Sequence, residues 1–236
     1  MFLKPLLVFL VTEMLFNYPT IIVDNFFIDP LAVRDLALTL DYTAHPHGAY
    51  SGKRSELINY RYPQLYQNII SKILNCYSIE VIECEVEMAF AYVTDSAGQV
   101  GWIHHDWGID NRIDISSIIY LGNTSNNNLN NGTSLYRLRN PDFDTSLYQK
   151  MRLDFLNQTN NEAIKQEHNN SFMETTRIGE GFNKMVAYDA RQFHAATGYY
   201  GKQKEDSRLT LNTFIKNIKT KSGMSPLEYA NKISKI

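Results

Sequence analysis

The sequence predicts a mainly β protein, a sandwich or jelly roll with flanking helices, on three observations. From Glu83 the apolar residues recur with a period of two: Cys84, Val86, Met88, Phe90 and Tyr92 share one face, while Glu83, Glu85 and Glu87 take the other. Further β-prone runs follow at Val100 to His105, Ile113 to Leu121, Thr133 to Leu138, Lys184 to Tyr188 and Leu209 to Ile218. Many short strands joined by turns describe two packed or closed sheets. Helical signals gather before this region and at the end of the chain.

In chain order, Thr20 to Val23 is a short β-prone run, and Asp29-Pro30 opens a helix with a capping residue and a proline at its first position. Val33, Leu36 and Leu40 share one side of that helix, so it packs against a sheet. A second helix begins at Pro63, with Leu65, Ile69, Ile73 and Leu74 as its apolar stripe. Between the helices lies the His-, Gly- and Tyr-rich loop from His45 to Ser55, a composition suited to lining a site. Asn123 to Gly132 is a polar turn between strands. Pro141 to Asn170 is a long polar insert with a helical portion around Leu147 to Leu156, either lid or surface decoration, and its His168 is expected in solvent. Ser225-Pro226-Leu227-Glu228 is a capping box that starts a short terminal helix. The expected organisation is one domain over 1–236: an extension at 1–18, helical support at 19–82, the β core at 83–218 with its insert at 141–171, and a C-terminal helix within 219–236.

Composition narrows the function classes. The 236 residues are 44% hydrophobic and 20% charged, enough for one good core. The 23 basic and 25 acidic residues nearly cancel and form no long single-sign run, so the charge footprint of a general nucleic-acid binder is absent. Cys76 and Cys84 form neither a disulfide framework nor a metal-type pair, which fits a reducing, cytoplasmic compartment. Lys4 followed by Leu6 to Val11 has the flavour of a secretory signal. The run is short, Glu13 breaks it, no small-residue cleavage site follows, and it cannot span a bilayer. Met14 as the natural start, behind an extension, is the competing reading. No membrane partner is called for, and oligomeric state is not legible.

The chemistry concentrates at Trp102-Ile103-His104-His105-Asp106. Side chains alternate along a strand, so His104 and Asp106 aim at one point while His105 faces away. A third ligand must come from elsewhere, and His194, after the β-prone run Met185 to Tyr188, is the best candidate. Two imidazoles and one carboxylate on one face of an octahedron leave three positions open, the arrangement by which non-haem Fe(II) oxygenases bind co-substrate and O₂ together. Fourteen residues beyond His194, Arg208-Leu209-Thr210 opens another strand. Arg208 there can grip a dicarboxylate through paired charge-assisted hydrogen bonds, with Thr210 on the same face adding another. A His-x-Asp tripeptide, a single histidine or a strand arginine is common by itself; the four positions in this order are not.

From about Ile21 to Ile218 the chain resembles the 2-oxoglutarate/Fe(II) oxygenase superfamily, within its prolyl-4-hydroxylase-like group and nearest to bacterial and phage members. The matching residues are Val23-Asp24-Asn25-Phe26, Tyr50-Ser51-Gly52-Lys53-Arg54, His104-His105-Asp106, Ile119-Tyr120-Leu121, Asn131-Gly132-Thr133-Ser134-Leu135-Tyr136, Phe182-Asn183-Lys184, Phe193-His194 and Arg208-Leu209-Thr210. The resemblance implies a double-stranded β-helix, with the metal at its open mouth held by His104, Asp106 and His194. It also implies Fe(II), 2-oxoglutarate and O₂ as the reacting set, with Arg208 on the far carboxylate. Decarboxylation to succinate and CO₂ would then be coupled to hydroxylation of an unactivated C–H bond. Halogenating relatives leave the carboxylate position empty; Asp106 fills it here. The family often has two glycines before the mid-barrel threonine, where this chain has Asn131-Gly132. Tyr92, Tyr120 and Tyr188 are secondary candidates for co-substrate hydrogen bonds. Tyr50, Arg54 and Trp107 are candidate contacts to a small-molecule or peptidyl substrate; Trp102 and Trp107 flank the metal motif, and core packing is the alternative role for either. His45 and His47 have no partner at metal-ligand spacing. Two other readings stay open: a jelly-roll binding module without turnover, and a zinc hydrolase on the same ligands, for which no general-base carboxylate is evident.

Overall fold

Asp29 starts the first helix as its type dictates: its carboxylate accepts the main-chain N–H of Ala32 at 3.1 Å, and Pro30 occupies the first turn of α1 (Pro30–Thr39). Helix α1 buries Val33 and Ala37, and Leu40 closes its end. Helix α2 (Pro63–Cys76) also begins at a proline and buries Ile69, Ile70 and Ile73. Both helices exist to cover a sheet. The computed structural model describes residues 16–44, 52–97, 100–108, 112–122, 130–140 and 162–234. The strands are β1 (Ile21–Val23), β2 (Thr43–Ala44), β3 (Lys53–Arg54), β4 (Val81–Val93), β5 (Ile113–Tyr120), β6 (Gly132–Leu138), β7 (Phe172–Gly179), β8 (Met185–Asp189), β9 (Phe193–Thr197) and β10 (Arg208–Thr220). Helix α3 (Glu162–Asn170) precedes β7, and α4 (Pro226–Ile233) closes the described chain.

Among the described residues the strands form two antiparallel sheets, a large one in the order β1-β8-β5-β10-β4-β3-β2 and a small one in the order β7-β6-β9. The centre of the large sheet is the long pair β10 and β4, in which Arg208 lies opposite Val93, Leu209 opposite Tyr92 and Thr210 opposite Ala91. Directly opposed residues share a face, so this register sorts every side chain of the site. On one face Met88, Phe90, Ile115, Ile119, Leu209, Leu211 and Ile215 pack with Val33, Ala37, Ile69 and Ile73 of the two helices. Each such aliphatic side chain contributes about 2 kcal/mol when fully withdrawn from water. On the other face Tyr120, Val186 and Tyr188 meet Leu135 and Ile178 of the small sheet. The predicted jelly roll is thus two sheets closed over an interior, with helices outside the larger.

The terminal helix forms as its capping box predicts: Ser225 N–H donates to Glu228 Oε2 at 2.8 Å, and Glu228 N–H to Ser225 Oγ at 3.4 Å. The expected strand from Val100 to His105 is not one. Only two isolated bridges form there, Val100 with Thr197 and His104 with His194. Side chains from α3 satisfy the main chain between them, which removes the need for a ladder. The short strands β7 and β9 lacked a period-two apolar pattern and were not foreseen. The N-terminal apolar run, His45, His47, Tyr50 and the helical portion expected at Leu147 to Leu156 lie outside the described residues. No helix among the described residues is long and apolar enough to cross a membrane.

Candidate metal centre

The segment carrying two of the three expected ligands is gripped from both sides. On one side, Asn169 at the end of α3 uses its amide as a surrogate strand: its Oδ1 accepts Ile103 N–H at 3.0 Å, and its Nδ2 donates to Gly101 O at 3.0 Å. His168 donates from Nε2 to Ile103 O at 2.8 Å and stacks its ring on Trp102 at 3.9 Å. His168 is 1% exposed, which corrects the expectation that it sits in solvent. On the other side, His104 and His194 exchange both main-chain hydrogen bonds, at 3.0 and 2.8 Å. Asp106 N–H and Trp107 N–H both donate to Ala190 O. His105 turns the other way, against the Phe193 ring.

The three ligand atoms converge. Those of His104, Asp106 and His194 lie within 4.8 Å of one another. His104 Nε2 stands 3.5 Å from Asp106 Oδ1, and His194 Nε2 stands 3.4 Å from Oδ2. Each ring's Nδ1 meets a main-chain carbonyl, Trp102 O at 2.7 Å and Gln192 O at 2.9 Å. A carbonyl only accepts, so each ring carries its proton on Nδ1 and keeps the Nε2 lone pair toward the common centre. Ser116 donates to Asp106 Oδ2 at 2.7 Å. Burial alone would raise the Asp106 pKa, but His194, His104 and the Ser116 hydroxyl hold it below the usual carboxylate range. Burial brings His194 down to about 4 against the opposing pull of Asp106, so its ring is neutral. His104 is the open side of the cluster, its side chain 30% exposed against 6% for His194. Two imidazoles that spend Nδ1 on main-chain carbonyls and an ionised carboxylate, pre-oriented by these second hydrogen bonds, suit a divalent first-row metal that keeps positions open.

Deeper inside, Arg208 is the first residue of β10 and is 5% exposed. Its guanidinium lies 5.3 Å from the Tyr120 ring centre and donates to Gly132 O at 3.2 Å. Its Nε has no acceptor among the described residues. A buried guanidinium with a donor to spare is what a carboxylate completes. Gly132 makes this carbonyl reachable: at φ +147° a Cβ would stand 2.1 Å from Ile178 O. Thr210 shares the Arg208 face as expected, its hydroxyl on Ala91 O at 3.4 Å, and the Tyr120 hydroxyl donates to Thr133 Oγ1 at 2.7 Å. Tyr92 is a correction. It lies opposite Leu209, not Thr210, and packs on the helix side with the Tyr42 ring at 5.0 Å, away from the pocket. Tyr188 lies inside, 4.7 Å from the His194 ring.

Arg54 stacks over Phe214 at 5.5 Å and helps line a cavity of about 200 Å³ with Leu57, Glu87, Ala89 and Asn212. Phe214, at the edge of this cavity, lies directly opposite Ser116 in the strand register. Trp107 is half-buried beside the ligand. Sequence reasoning missed the supporting roles of Ser116, His168 and Asn169. For Ser116 there was a signal: Ser116-Ser117 stands between Ile115 and Ile118 in a β-prone stretch. The others sit in polar segments that look like any surface.

A family model described as Family of unknown function (DUF6445) matches residues 11–215. The chain belongs to that family. No curated protein matches this DUF6445 chain. Among solved structures it is similar to SnoK, a non-heme alpha ketoglutarate dependent carbocyclase from nogalamycin biosynthesis, at 11% identity and TM-score 0.54 over 85% of this chain and 80% of that one. It is also similar to HygX from Streptomyces hygroscopicus with nickel and 2-oxoglutarate bound, at 9% identity and TM-score 0.52 over 85% and 83%. A Pseudomonas putida prolyl-4-hydroxylase matches at 12% identity and TM-score 0.44 over 85% and 93%. SnoK and HygX establish the architecture: this DUF6445 chain has the jelly-roll fold of 2-oxoglutarate/Fe(II) oxygenases, as the sequence resemblance implied.

Proposed function

We propose that this protein is an Fe(II)- and 2-oxoglutarate-dependent dioxygenase that hydroxylates an unactivated C–H bond of a small-molecule or peptidyl substrate, releasing succinate and CO₂. The observation that carries the reading is the convergence of the His104, Asp106 and His194 ligand atoms, with both imidazoles fixed in the metal-binding tautomer. Iron held by these three residues would supply the oxygen-activating redox chemistry. The chain's own part is orientation. Arg208 holds the far carboxylate of 2-oxoglutarate through its uncommitted Nε, while Tyr120 and Thr210 flank that carboxylate. The ring of Tyr188 packs on His194 and fixes it. Substrate approaches by way of the cavity beneath Arg54 and Phe214, and Trp107, which follows the ligand Asp106 in the chain, is a further candidate contact. Water exclusion comes from the apolar seam of Tyr120, Leu135, Ile178 and Val186 between the sheets.

Anaerobic addition of Fe(II) and 2-oxoglutarate is expected to produce a weak visible charge-transfer band that His104→Ala abolishes. Admission of O₂ is expected to yield succinate. Absence of the band, with no binding of either component by calorimetry, overturns the reading.

A further inference from the structure

Glu180 follows β7 and is 4% exposed. Its Oε1 accepts the Tyr200 hydroxyl at 2.6 Å, and its Oε2 has no hydrogen-bond partner among the described residues. It flanks the glycine that Arg208 bonds: Arg208 donates to Gly132 O, and a Cβ on Gly132 would lie 2.8 Å from Glu180 N. Gly122 seals the opposite side, where a Cβ would come within 2.6 Å of Glu180 Oε1 and 2.1 Å of the Tyr200 hydroxyl. No ion pair within 4.0 Å joins Glu180 to Arg208 among the described residues. One buried cluster therefore holds a guanidinium and a carboxylate, each with an uncommitted polar atom.

The charges around Glu180 are few. Arg208 comes from β10, Tyr120 from β5, and Tyr199 and Tyr200 from the segment after β9. Arg34 of α1 is committed to Leu121 O at 2.5 Å, and Lys184, before β8, to Gly179 O at 3.1 Å. Among the described residues Arg208 is thus the buried cation available to Glu180.

Resting on the proposed reading of the pocket, we infer that Glu180 is a specificity-determining residue that shares Arg208 with the ligand's carboxylate, so that 2-oxoglutarate binds with uptake of one proton onto Glu180. One guanidinium cannot balance two adjacent ionised carboxylates in a water-poor interior; such pairs share a proton. Burial already raises Glu180 above the ordinary carboxylate value, with Arg208 and the Tyr200 hydroxyl opposing. An incoming carboxylate takes over Arg208 and removes the larger of the two opposing effects. The protonated Oε2 then becomes a donor to a ligand that offers only acceptors.

The test is calorimetric titration of 2-oxoglutarate into the full chain loaded with redox-inert Ni(II), in two buffers of different ionisation enthalpy, across the neutral range. Wild type is expected to take up close to one proton more than Glu180→Gln, and its affinity to weaken by up to about tenfold per pH unit above the Glu180 titration. Glu180→Gln is expected to bind several-fold more tightly at alkaline pH, with a flat profile. Tyr200→Phe removes a hydrogen bond that favours ionised Glu180, so it moves the onset of weakening to higher pH. Equal proton uptake in wild type and Glu180→Gln overturns the inference. So does a wild type that binds with no proton uptake, whatever the variants do. Failure of wild type to bind 2-oxoglutarate at any pH overturns the oxygenase reading as well.

Discussion

On the helix side of the large sheet, β10 contributes Leu209, Leu211 and Ile215 to a core shared with Met88 and Phe90 of β4. On the interior side, one residue out of step, the same strand contributes Arg208 and Thr210, and β4 contributes Ala91 and Val93. The outer face works collectively: its apolar side chains stabilise the fold by burial and close packing, with no directional demand on any one of them. The inner face is singular, because each polar group has one or two partners and a stated direction. A residue's position within the strand pair, more than its type, decides which rule governs it. Tyr92 illustrates this: it is a tyrosine next to the pocket in sequence and on the wrong side of the sheet in space.

The largest expected effect lies on the outer face. Phe90→Ala is expected to cost about 3–5 kcal/mol of folding stability by urea titration, while the folded fraction keeps its metal affinity. Loss of metal affinity beyond the loss of fold would break the separation of the two faces. Next comes Ser116→Ala, which deletes the hydroxyl on Asp106. It is expected to weaken Ni(II) or Fe(II) binding by roughly 10–100-fold with little change in the unfolding midpoint.

Acid offers a milder probe of the inner face. His194 titrates at about 4 in the folded protein against 6.5 for an ordinary histidine. Between those values the unfolded chain binds the extra proton, so the contribution of neutral His194 is whole above 6.5 and is lost as pH falls toward 4. Asp106, held below its usual range, adds a further loss at lower pH. Metal-free protein is therefore expected to unfold at progressively lower urea concentration over that interval, and His194→Gln to flatten the curve. The smallest effect belongs to Tyr92→Phe, which is expected to leave 2-oxoglutarate affinity unchanged by calorimetry. A substantial weakening would contradict the register that places Tyr92 outside.

Much of the site was written locally. His104 and Asp106 share a direction because they are two residues apart in extended chain, and His105 faces away for the same reason. Arg208 and Thr210 share a face by the same parity. That parity also excluded Tyr92, since the alternating run from Cys84 to Tyr92 had already placed it with Met88 and Phe90. The support of the metal segment was not legible. Nothing in a polar insert announces that Asn169 will imitate a neighbouring strand or that His168 will be buried against Trp102. A segment whose main chain is satisfied by side chains from another element looks like a strand in sequence and is not one in space.

By itself the chain's order of residues determined the mainly β class, both early helices with their starts, the capped terminal helix, and the residue types of the candidate metal site. These depend on periods, caps and parities, which act over a few residues. Tertiary structure decided the rest: that His194 pairs with His104, that Ser116 holds Asp106, and that Tyr200 donates to buried Glu180. Those contacts join residues that only sheet register and strand order bring together, and no local rule encodes the register of strands so far apart in the chain.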